Sequence, residues 1–100
     1  MIKHIVMWKI KQDNGPDEAR QIAQKIKTDL EALRNVIPAI QHLEVGLNFA
    51  RSDQAADVAL YSEFENMDQL KAYAEHPAHQ RVVAFVRDVV TERRVVDYEC

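Results

Sequence analysis

The stretch Tyr73-Ala74-Glu75-His76-Pro77-Ala78-His79 gathers one phenol and two imidazoles into seven positions. Both groups serve as general acids and bases. The residue before a proline is pushed out of the α region, and proline suits the first turn of a helix, so His76-Pro77 separates two helices. Tyr73 then sits on the last turn of one helix and His79 on the first turn of the next, where their side chains can converge. The positive end of a helix dipole disfavours imidazolium and lowers the pKa of His79, leaving a neutral base at physiological pH. Tyr73 can donate its hydroxyl proton to a carbonyl oxygen as negative charge grows there. The implied chemistry is proton transfer on a small carbonyl or phenolic compound, with His79 and Tyr73 as its catalytic pair.

The same residues also have plain readings. Tyrosine and histidine at the edge of a core are commonly satisfied by backbone carbonyls, and His76 before Pro77 reads as a capping or packing residue. A metal site of His76, His79 and His4 is disfavoured because the proline break spoils the geometry of a helical histidine pair and no carboxylate stands beside it. No metal is therefore expected, and no glycine-rich phosphate loop, Ser-His-Asp set or haem-attachment pattern appears.

Positioning these residues falls to short, well-marked elements. Ile2 to Ile10 alternates as a strand, with Ile2, His4, Val6, Trp8 and Ile10 on one face and Lys3, Ile5, Met7 and Lys9 on the other. Gln12 to Pro16 is turn chemistry, and Pro16-Asp17-Glu18 opens a helix whose Ile22, Ile26, Leu30 and Leu33, with Ala19 and Ala23, form an apolar stripe. A second strand is expected from Ile40 to Phe49, with Leu43, Val45, Leu47 and Phe49 on one face and Gly46 marking a bulge or close backbone approach. Val58 to Phe64 is a third strand, with Val58, Leu60 and Phe64 on one face. Asn66, with Gln69 three residues on, caps the helix that carries Leu70, Tyr73 and Ala74 inward. Beyond Pro77, Val82, Val83, Val86, Val89 and Val90 gather around Phe85. Glu92-Arg93-Arg94 reads as a solvated turn, and Arg94 to Glu99 as a fourth strand in which Asp97 has an arginine as its natural partner.

Strand, helix, strand, strand, helix pair, strand is the order of an α+β split βαβ fold, an antiparallel four-stranded sheet with helices on one face. If His4 faces those helices, it shares one apolar space with Tyr73 and His79. Ile5, Met7, Val96 and Tyr98 make the other sheet face apolar as well, and a second copy of the chain is its simplest cover. A homodimer packed sheet against sheet is expected.

Composition narrows the function classes. The chain has 100 residues, enough for one domain spanning 1–100, and is 47% hydrophobic with net charge −3. No basic run exceeds Arg93-Arg94, so nucleic acid is a disfavoured partner. Neither a signal peptide nor an apolar span is legible, which makes the cytoplasm the expected compartment and a membrane an unexpected partner. Cys100, the single cysteine, excludes an internal disulfide.

His4 followed by Val6-Met7-Trp8-Lys9, Val36-Ile37-Pro38-Ala39, the Tyr73 to His79 stretch and terminal Val95-Val96-Asp97-Tyr98 together resemble the stress-responsive dimeric α/β-barrel (Dabb) family. The resemblance covers nearly the whole chain. It implies a ferredoxin-like subunit that dimerises into an α+β barrel. The family includes plant polyketide cyclases similar to olivetolic acid cyclase, in which the residues matching Tyr73 and His79 close a ring without a cofactor and the one matching His4 lines the pocket. This sequence keeps those three but has Val58 and Leu30 where the cyclases place a histidine and a tyrosine, so its pocket is more aliphatic. Magnesium, which some plant relatives bind, has no acidic cluster to hold it here.

The expected pocket lining is His4, Val6 and Trp8 from the first strand, Ile26 and Leu30 from the first helix, Val58 from the third strand and Val83 from the last helix. No cofactor is called for. The rival readings are a non-catalytic stress protein whose role is the stable dimer, and a haem- or oxygen-dependent monooxygenase with His79 facing iron.

Overall fold

Alternation over nine residues produces an inner strand of the sheet. In the computed structural model, which describes residues 1–100, strand β1 runs from Ile2 to Ile10 and buries Ile2, His4, Val6, Trp8 and Ile10. Helix α1 follows from Pro16 to Ala32, buries Ala19, Ala23, Ile26 and Leu30, and ends in a single 3₁₀ turn at Leu33–Asn35. Gly15, just before it, has φ +92°, a left-handed backbone that a side chain would strain. Strands β2 (His42–Leu47) and β3 (Val58–Phe64) come next, then α2 (Met67–Glu75), α3 (Pro77–Val89) and β4 (Val90–Glu99).

The four strands form one antiparallel sheet in the order β2-β3-β1-β4. Inward residues of the sheet pack under the helices into a continuous apolar core. This is the ferredoxin-like α+β fold that the element order predicts.

The helix boundaries follow their local chemistry. The Asn66 side chain accepts the Gln69 backbone N–H at 3.0 Å and starts α2. His76 is extended, and its Nδ1 accepts the Ala78 backbone N–H at 3.0 Å, so one residue ends α2 and caps α3. The capping reading of His76 therefore holds.

Three expectations need correction. Strand β2 stops at Leu47 rather than Phe49, because its partner β3 begins only at Val58; Leu47 is 38% exposed and Phe49 97%. Gly46 marks neither a bulge nor a close approach, since it pairs in register with Ala59 and a Cβ there would touch nothing. The third correction reaches the site. Glu92-Arg93-Arg94 is strand and not turn, because β1 offers an open edge long enough to pair Lys9, Trp8 and Met7 with these residues. Strand β4 thus begins directly after α3 and includes Val90, which the sequence pattern assigns to the helix. The register shifts at Lys9/Ile10, pairing Lys9 with Glu92 and Ile10 with Val90, so Thr91 is the extra residue of a bulge.

The outward sheet face is mixed. Ile5, Met7, Val96 and Tyr98 do lie on it, the last three between 42% and 49% exposed. Toward β3 it becomes polar, with the Glu63 carboxylate accepting from Lys3 at 2.7 Å and from the Tyr61 hydroxyl at 2.6 Å.

Candidate active site

Tyr73 enters the space between sheet and helices from the last turn of α2 and is 1% exposed. Its ring centroid lies 4.2 Å from that of His79, on the first turn of α3, and 6.2 Å from that of His4, on β1. The proline break thus brings the phenol and the imidazole into contact. The Tyr73 hydroxyl is buried with no hydrogen-bond partner, unlike the buried Ser62 hydroxyl, which donates to the His4 carbonyl at 2.9 Å. Burial pushes the phenol pKa above its usual value, against a smaller opposing effect of the Arg93 charge. The hydroxyl is a proton donor with nothing in the chain to donate to.

His79 is half-buried, and its Nδ1 lies 3.1 Å from the Ala74 carbonyl. A carbonyl only accepts, so Nδ1 carries the hydrogen and Nε2 the lone pair. Burial lowers the His79 pKa below the ordinary histidine value; the charges of His4, Arg93 and His76 add to this, and the Ala74 hydrogen bond opposes it. The direction is the one expected from the sequence. Its leading cause is desolvation rather than the helix dipole.

On the opposite wall, His4 Nδ1 donates to the Asp97 carboxylate across the β1–β4 ladder, where the two residues face each other in register. Asp97 therefore has a histidine, not an arginine, for its partner. This fixes the His4 imidazole through Nδ1, as the Ala74 carbonyl fixes that of His79.

These groups border a cavity of about 670 Å³. His4, Val6, Trp8, Leu30, Tyr73, His79 and Val83, all anticipated from the sequence, line it. Ile26 and Val58 do not. They are 0% and 1% exposed and pack in the core between α1 and the sheet. Leu60, Leu70 and Val86 take part in the wall instead, and the exposed residues Arg87, Thr91, Glu92, Arg93 and Asp97 form its solvent-facing mouth. Sequence reasoning misses this β4 contribution because the polarity of Glu92-Arg93-Arg94 conceals a strand. The inward alternation of Val95 and Asp97, extended two residues back, is the signal that points to Arg93. No three histidine, cysteine, aspartate or glutamate side chains converge closely enough to hold a metal ion. His76 spends its Nδ1 on the α3 cap.

The likeness of this chain to known proteins agrees with its fold. The family model described as the stress-responsive A/B barrel domain (Dabb) matches residues 2–100. An uncharacterized protein of Streptomyces coelicolor is 37% identical over 102 residues, covering 99% of both chains. A dimeric ferredoxin-like protein of unknown function from Bacteroides fragilis is 37% identical, with TM-score 0.89 over 99% of this chain and 95% of its own. The hydroxynitrile lyase of Passiflora edulis shares the fold at 16% identity, with TM-score 0.81 over 97% of this chain and 90% of its own. Matched along nearly its whole length by the family model, the chain belongs to the stress-responsive A/B barrel domain family.

Proposed function

We propose that the protein works as a homodimer that binds a small, largely apolar carbonyl or phenolic compound in this cavity and moves a proton on it through His79 and Tyr73, without a cofactor. One observation carries the reading. A buried, unpartnered hydroxyl lies in ring contact with a neutral imidazole over a cavity lined mainly by apolar side chains. A hydroxyl left unsatisfied costs about 1–3 kcal/mol, and a ligand oxygen would relieve that cost.

In the forward step, His79 Nε2 takes a proton from the carbon next to a carbonyl. The C–H electron pair moves toward the carbonyl oxygen, and the Tyr73 O–H donates to that oxygen as its charge grows. Returning the proton to a different atom isomerises the ligand; attack of the enolate carbon on a second carbonyl of the same molecule closes a ring, as in the cyclases the sequence resembles. His4, held by Asp97 through Nδ1, keeps its Nε2 for a hydrogen bond with a polar atom of the ligand. The rival reading, a protein whose only role is its dimer, expects an interior filled by side chains, and the cavity beside His79 weighs against it. Dimerisation rests on the apolar part of the outward sheet face and on the dimeric state of the Bacteroides relative.

The test follows deuterium exchange at the carbons flanking the carbonyl of 4-phenylbutan-2-one by NMR, in D₂O. The protein should accelerate exchange, and His79→Ala and Tyr73→Phe should each reduce that acceleration by about 10² or more. The lowered pKa of His79 sets the pH profile: the rate should hold constant through neutrality and decline only below the ordinary histidine pKa of 6.5, where the imidazole becomes protonated. Variants as active as the parent would remove both residues from the mechanism.

A further inference from the structure

Two arginines at the cavity, Arg87 on α3 and Arg93 on β4, form no ion pair, and Arg93 is the one that the sheet delivers. Arg93 borders the mouth, and its register partner on β1 is the inward residue Trp8, which lines the wall. The six ion pairs of the chain do not include Arg93. The carboxylate nearest along the same strand face, Asp97, is four residues further on and already bonded to His4. Glu92 also borders the mouth, but its register partner is the outward residue Lys9. The Arg93 charge also bears on both members of the pair, helping to lower the His79 pKa and opposing the rise of the Tyr73 pKa.

We infer that the ligand of this cavity is an anion, with an apolar body against Val6, Trp8 and Val83, an oxygen at the Tyr73 hydroxyl, and a carboxylate held by Arg93. The geometry favours this class over a neutral compound. A planar guanidinium at the edge of an apolar cavity binds carboxylate through two parallel hydrogen bonds, and a charge-assisted bond of this kind outweighs a neutral one roughly twofold in energy. The unbroken register of β4 from Arg93 to Asp97 sets this side chain on the inward face, opposite Trp8. The inference rests on the proposed ligand site and names the chemistry of its occupant.

Trp8 is the single tryptophan and lines the cavity, so its fluorescence reports occupancy directly. The experiment titrates the full chain with 2-oxo-4-phenylbutanoate and, separately, with its methyl ester, which removes the charge and adds one methyl group. The acid should bind at least about tenfold more tightly than the ester, the effect of one charge-assisted hydrogen bond. Arg93→Met should abolish that preference, Arg93→Lys should keep part of it, and Arg87→Met should keep all of it. Equal binding of acid and ester by the parent, or a preference that survives Arg93→Met or vanishes in Arg87→Met, would overturn the Arg93 site and leave the cavity's role in binding standing. If neither compound changes Trp8 fluorescence at millimolar concentration, the anion site and the small-carbonyl reading fall together. Because binding alone is read, a failed His79 and Tyr73 mechanism would leave the result intact.

Discussion

Tyr73 and Ser62 are both buried hydroxyls, and the difference between them separates function from folding. Ser62 gives its hydrogen to the His4 carbonyl and so stabilises the sheet it belongs to. Tyr73 gives its hydrogen to nothing, although its ring packs against Phe64 and His79 at centroid distances of 4.9 and 4.2 Å. The ring therefore contributes to the core and the hydroxyl detracts from it. Tyr73→Phe keeps the packing and removes the orphan, so it should raise stability by about 1 kcal/mol. Urea unfolding of the two proteins measures this directly. A loss of stability of similar size would mean that the hydroxyl has a partner in solution and is not held in reserve for a ligand. Gaining stability where activity is lost is the expected signature of a site that the fold tolerates rather than needs.

The cavity exists because of how α2, α3 and β4 meet. Pro77 ends α2 and starts α3 within one residue, so the chain turns sharply enough to put position 73 beside position 79. The His76 cap makes the turn specific by satisfying the Ala78 N–H. At the other end of α2, Asn66 sets the start of the helix and thereby the rotation that aims Leu70 and Tyr73 inward. Asn66→Ala should cost about 1 kcal/mol of stability, the usual effect of losing an N-cap, and thermal unfolding will show it. An unchanged midpoint would mean that packing of Leu70 and Tyr73 alone defines this helix. Strand β4 contributes differently. Its residues from Thr91 onward are exposed, so it is held chiefly by its ladder to β1, and that ladder delivers Asp97 to His4 and Arg93 to the cavity mouth.

The whole subunit has one face roofed by its own helices and one face without cover. On the open face, the exposed Met7, Val96 and Tyr98 lie beside Ile5, while Lys3, Glu63 and Tyr61 form a polar margin. An apolar centre with a polar border is the anatomy of a protein interface. Sedimentation velocity at micromolar concentration should show a dimer, and Val96→Glu, which would bury a charge in that centre, should shift it to monomer. A parent protein that sediments as a monomer would refute the assembly. None of the helices is long and apolar enough to cross a membrane.

What the sequence determined by itself is local. Turn chemistry at Pro16, the Asn66 cap, the His76-Pro77 break and the alternation of β1 and β3 each act within a few residues, and each stands in the structure where the pattern puts it. The Tyr73 and His79 contact was legible for the same reason, since only one turn of chain separates them. Pairing across the sheet was not. Sliding β4 by two residues along β1 would keep every side chain on its face, yet set His4 opposite Val95 or Glu99 instead of Asp97. Only the closed ladder, fixed by the packing of α3 and the bulge at Thr91, selects one register among these. That selection is why the partner of His4 and the charge at the cavity mouth belong to the tertiary structure: they join residues 93 and 85 positions apart, and no local pattern specifies distance of that kind.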